Sequence, residues 1–220
     1  MATVSSIGSV DLGTAAGQLL CKLADSLPRD RSWRIAAFGS APIQIQVDPT
    51  LISADVDVFC DEEDLQPWVD AIGAAQGQAD FYIQVCSGLN FRTSPHWLAR
   101  ATAVTYGHCT FVFPHPIDIL IAKLNRLDEK DLEAFRVVIG KTGHPTEAEL
   151  IHELQMAVDL FRPGFDEENS HDLVNNTRRL WPLIFGREID PRAEIIAPAL
   201  AIRRAGYGLP TRDYKKELLG

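Results

Sequence analysis

Two aspartates one residue apart, Asp55 and Asp57, carry the clearest chemistry in the chain. They lie in Ala54-Asp55-Val56-Asp57-Val58-Phe59-Cys60, where polar and apolar residues alternate with period two. That alternation predicts a strand. Residues i and i+2 of a strand face the same side, so the two carboxylates stand together. Like charges so close are costly until a cation or a proton neutralises them. A hard divalent cation with oxygen ligands, Mg²⁺ or Mn²⁺, suits the pair. Upstream, Phe38-Gly39-Ser40 ends an apolar run, with fourteen residues between Ser40 and Asp55. Gly39 and Ser40 fall where a strand would run into a helix, a junction with free backbone N–H groups facing outward. Glycine admits a phosphate close to the backbone, and Ser40 can cap the helix and donate to a phosphate oxygen. A phosphate cradle beside metal-binding carboxylates is the layout that phosphoryl or nucleotidyl transfer needs.

These residues need elements to hold them. Leu12 to Leu27 has helical spacing and stops at Pro28, Trp33 to Phe38 reads as a buried strand, and Ala41 to Val47 as a short helix. After the Asp55–Asp57 strand, Glu62 to Gln76 reads as a helix, and Phe81 to Cys86 as a strand. Ser87 to His96 reads as a loop, and Ala101 to Phe113 as a hairpin turning at Gly107-His108. From His115 onward the apolar stripes recur at helical spacing. The first ~115 residues thus alternate helix and strand and end in a hairpin, which suggests an α/β or α+β layer, followed by a helical C-terminal region. The expected division is an α/β domain over 1–115 and a helical domain over 116–220.

Composition bounds the function. The 220 residues are 46% hydrophobic and 23% charged, enough to bury a core without staples. A net charge of −9 provides no global field for a nucleic-acid backbone, which disfavours a general DNA or RNA coat. Cys21, Cys60, Cys86 and Cys109 lack CxxC pairing and sit in apolar runs, where free cysteine acts as a small hydrophobe. There is no N-terminal secretion signal and no apolar stretch of about 18 residues. The expectation is a cytoplasmic protein without a membrane span. The six histidines have no metal-ligand spacing. His115 adjoins the helix beginning at Pro116. Arg92 and Arg100, flanking Trp97, are candidates to line an acceptor groove.

The strand, Gly-Ser, helix and Asp-x-Asp strand together resemble the nucleotidyltransferases of the DNA polymerase beta superfamily. A second stretch strengthens the likeness. Pro116-Ile117-Asp118-Ile119-Leu120-Ile121-Ala122-Lys123-Leu124, with Arg126 and Lys130-Asp131, is similar to the helix pair of bacterial nucleotidyltransferase-like proteins. That group includes the toxins of type IV toxin–antitoxin (abortive infection) systems. The resemblance spans roughly residues 33 to 140. It implies an α+β fold, a small mixed sheet flanked by helices with a helical C-terminal region, in which Gly39 and Ser40 hold a nucleoside triphosphate and Asp55 and Asp57 bind Mg²⁺. Lys123 and Lys130, seven residues apart and expected on one helical face, would border the nucleotide. Asp131 is expected to be structural. Active members of the family carry a third carboxylate on a later strand, and here that strand has Gln84. An amide can accept a hydrogen bond but cannot act as a base; Asp80, near the strand's start, is the alternative carboxylate. Two functions therefore follow. One is transfer of a nucleoside monophosphate from a triphosphate to an acceptor hydroxyl, on an RNA end or a protein. The other is a non-catalytic nucleotide sensor that works with a partner protein.

Overall fold

The computed structural model describes residues 9–53, 55–60, 64–76, 82–161 and 172–206. Asp80 lies outside them. The fold class is α+β, as expected. Helix α1, Ala15–Ser26, starts where the Thr14 side chain accepts from Gly17 N at 3.1 Å. It buries Ala16, Leu19, Leu20 and Leu23 of the expected stripe, and Ala24 beside them. Strand β1, Trp33–Ala37, follows, then the short helix α2, Ala41–Gln46, and strand β2, Asp55–Phe59. Helix α3, Gln66–Gln76, leads to β3, Tyr82–Val85. The expected loop, Ser87 to His96, contains a 3-10 turn at Gly88–Asn90, and a single helical turn, α4, Trp97–Arg100, follows it. The hairpin β4, Thr102–Tyr106, and β5, Cys109–Phe113, turns at Gly107, whose φ of +58° suits glycine.

The strands form one mixed sheet in the order β3-β2-β1-β5-β4. β1 runs antiparallel to β2 and parallel to β5, while β2 and β3 are parallel and β4 and β5 antiparallel. Period two sorts the side chains. Trp33, Ile35, Ala37, Val56, Val58, Ile83, Cys109, Phe111 and Phe113 pack with α1 and α3 into one apolar core. Asp55 and Asp57 therefore belong to the opposite face.

Beyond the sheet come α5, Pro116–Leu124, α6, Glu129–Thr142, and α7, Glu147–Met156. Helix α8, Leu173–Phe185, precedes a π-helical stretch at Arg192–Ile196 and α9, Ala197–Gly206. Their apolar stripes form a second core around Ile119, Leu120, Leu124, Phe135, Leu150, Leu154 and Trp181. Ile43 of α2 belongs to this second core, and Val47, Leu51 and Phe91 pack against it. The two cores thus meet at α2, which gives Ala41 and Ile45 to the first and Ile43 to the second. No described helix is long and apolar enough to cross a membrane.

Candidate functional site

The site begins at the end of β1. Phe38 N donates to Asp57 O at 2.8 Å, the backbone bond that lays Gly39 against β2. Gly39 has φ +63°, a conformation that L side chains rarely adopt. The place a Cβ would take at Gly39 is occupied by Asp57 Oδ2. The missing side chain thus makes room first for the Asp57 carboxylate, a use of the glycine that its spacing from Asp57 did not show. Ser40 follows in a right-handed helical conformation and makes no side-chain cap to α2, contrary to the capping role expected of it. Asp48, four residues after Gln44, binds Thr50 and Lys141 instead of the site.

Around the aspartates the polar contacts are short. Ser53 Oγ donates to Asp55 Oδ1 at 2.8 Å, and Cys86 Sγ donates to Asp57 Oδ1 at 3.4 Å. Burial pushes the Asp57 carboxyl above the usual carboxylate range, and the charge of Asp55 adds to the rise. The Cys86 hydrogen bond and the charges of Lys123 and Arg126 pull it back in part. The Cys86 thiol is pushed up to about 12 by burial and by the neighbouring Asp57, so it stays protonated and donates. Gln84 pairs with Asp57 in the β2–β3 register, which sets it on the same face as the two aspartates, and it is exposed. No family model, curated protein or solved structure matches the chain. The superfamily likeness therefore rests on the residues themselves.

The basic residues sit differently from their expected places. Lys123 ends α5 and Lys130 begins α6, so the seven-residue spacing does not put them on one helical face. Between them Leu127 adopts φ +53° while 1% exposed, and Asp128 starts α6 with a reciprocal capping box to Asp131. A buried leucine in the left-handed region is strained, and its burial holds it there. The turn folds Asp131 back onto Lys123: Nζ to Oδ1 is 2.9 Å, with side-chain exposures of 9% and 1%. Arg126 reaches the same carboxylate through Nε at 3.2 Å and Nη2 at 3.3 Å. Burial alone would raise Asp131, yet the Arg126 hydrogen bond and the Lys123 charge hold it below the carboxylate range. Asp131 is structural, as expected. Lys130 is exposed.

Arg100 is not merely solvated. It donates to Asp118 at 3.1 and 2.6 Å and pairs with Glu153 at 2.8 Å, while Asp118 is wholly buried. Arg92 is exposed, and its carbonyl accepts from Asn125 at 3.0 Å. His115 caps α5, its Nδ1 accepting from Ile117 N at 3.2 Å. Among the described residues no group of three or more His, Cys, Asp or Glu side chains is arranged to hold a metal. Two carboxylates nevertheless suit Mg²⁺, which is commonly bound by one or two protein carboxylates with substrate phosphates and water. The repulsion between Asp55 and Asp57, with Asp57 seated against Gly39, fits that mode. Of the residues the sequence reading left out, neither Ser53 nor Cys86 was legible: Ser53 precedes β2, outside its period, and the role of Cys86 depends on the β2–β3 register.

Proposed function

We propose that the chain is a metal-dependent nucleotidyltransferase that moves a nucleoside monophosphate from a nucleoside triphosphate to an acceptor hydroxyl. The observation that carries this reading is the seating of the Asp57 carboxylate against the side-chain-free Gly39, with Asp55 on the same face. It joins the Gly-Ser turn and the two carboxylates into one site. In the proposed complex Asp55 and Asp57 hold Mg²⁺ or Mn²⁺, and Gly39 and Ser40 line the phosphates. The bound ion would neutralise charge on the triphosphate and orient it for in-line attack. Transfer forms a bond from the acceptor oxygen to the α-phosphorus and breaks the α–β bridge, releasing pyrophosphate. The hydroxyl proton must pass to a group other than Gln84, whose amide cannot accept it. The acceptor, an RNA end or a protein hydroxyl, belongs to the same proposal. Four free cysteines suit a reducing compartment such as the cytoplasm.

The exposed Gln84 in register with Asp57 favours a second reading, a nucleotide sensor without turnover that acts on a protein partner. Calorimetry with each Mg²⁺–nucleoside triphosphate tests both against Asp55→Ala/Asp57→Ala. Binding that the double substitution abolishes supports the site; equal or absent binding in both proteins refutes it. Gln84→Asp then separates the two readings. Gain of triphosphate turnover supports the enzyme, and binding without turnover in both proteins supports the sensor.

A further inference from the structure

We infer that Arg126 is the cation that meets the phosphates of the nucleotide, with Lys123 held behind it by Asp131. This inference rests on the nucleotide site proposed above and assigns a residue to it.

Lys123 is poorly placed for the role that its sequence position implied. Its side chain is 9% exposed and its Nζ is bonded to the buried Asp131. Arg126 is bonded to the same carboxylate, yet its side chain is 62% exposed. Its contacts with Asp131 and Asp128 use Nε and Nη2. Asp131 thus fixes one edge of a planar fork and leaves the other toward solvent. A guanidinium held in that way is suited to phosphate oxygens, because its donors are planar and already oriented.

A chain of contacts carries Arg126 to the aspartates. Asn125, its neighbour, donates to the Arg92 carbonyl at 3.0 Å. Phe91, next to Arg92, stacks on Phe38 with ring centroids 4.4 Å apart. Phe38 in turn is bonded to the Asp57 backbone. Asn176 secures the same turn from α8, donating to the Leu124 and Asn125 carbonyls at 3.0 and 3.1 Å. The charges register the proximity. Arg126 is held above its ordinary value first by its hydrogen bonds to Asp131, then, against desolvation, by the charges of Asp131, Asp128 and Asp55.

The charge balance agrees. Asp55, Asp57, Asp128 and Asp131 face Lys123 and Arg126, an acidic excess that a divalent cation would cancel. An incoming triphosphate then meets the ion and the exposed fork of Arg126. Asp131 is the positioning residue that aims this fork, and the buried Lys123 offsets part of its charge.

The test is calorimetry on the full chain with Mg²⁺ plus inorganic tripolyphosphate, which has phosphates but no base or sugar, and with Mg²⁺ plus each nucleoside triphosphate. Wild type, Arg126→Ala, Arg126→Lys and Asp55→Ala/Asp57→Ala are compared, with thermal unfolding as the check on folding. A lost charge-assisted hydrogen bond predicts about ten- to a hundredfold weaker binding of both probes in Arg126→Ala. Arg126→Lys should recover part of it, as it restores the charge without the fork. Binding by Arg126→Ala within twofold of wild type, where the double aspartate variant has lost it, overturns this inference and leaves the nucleotide site standing. Absence of binding by the wild-type chain to every probe overturns both.

Discussion

Replacing Gly39 by alanine tests the contact on which the site is built. Two separate costs are expected. Gly39 sits at φ +63°, where an L residue costs about 1–2 kcal/mol relative to glycine. The new Cβ would also collide with Asp57 Oδ2, so the carboxylate must turn away. Forcing a side chain off its rotamer costs roughly 0.5–1.5 kcal/mol. Only the second cost depends on Asp57. In an Asp57→Ala background the backbone bond from Phe38 N to residue 57 survives, and the clash does not. A double-mutant cycle by urea unfolding should therefore give a coupling of about 1 kcal/mol, with Gly39→Ala milder when Asp57 is absent. In a protein of this size that corresponds to roughly 2–4 °C in Tm. Equal destabilisation in both backgrounds would mean that the two residues do not compete for one space, and the union of turn and carboxylates would fail with it.

Two further outcomes follow from the ion pairs. Asp131→Asn leaves the buried Lys123 without its carboxylate and should cost about 3 kcal/mol at neutral pH, the lower end for a broken buried pair. Since the folded Asp131 lies below its ordinary value, its stabilisation is whole above about pH 3.9 and is lost as the pH falls through the lower folded value. The gap between wild type and variant in urea midpoint should thus narrow on acidification, and a widening gap would contradict this account. Arg100→Met strips the only described cation from Asp118 and Glu153 and should cost about 3–5 kcal/mol by urea unfolding. Unchanged stability would contradict this buried pairing.

What the sequence determined by itself is local. Alternation placed Asp55 and Asp57 on one face of β2, and the buried odd positions of β1 and β5 followed the same rule, because strand geometry has a fixed period. The stripes of α1, α6 and α8 were legible for the same reason. That the first half is an α/β or α+β layer also followed from the order of strands and helices. The tertiary structure decided the rest. That Asp57 fills the space at Gly39 depends on β2 pairing antiparallel to β1, a long-range register that neither segment encodes alone. Lys123 and Lys130 look like one helical face at seven residues' spacing, but the left-handed turn at Leu127 and the capping box of Asp128 break the helix between them. Arg100 looks like a surface arginine until α5 and α7 bring Asp118 and Glu153 to it. Charged residues are misread most readily, since a side chain's partners are set by which elements pack together. An apolar residue announces its burial by type, whereas an arginine or lysine takes its role from the carboxylates that the fold delivers.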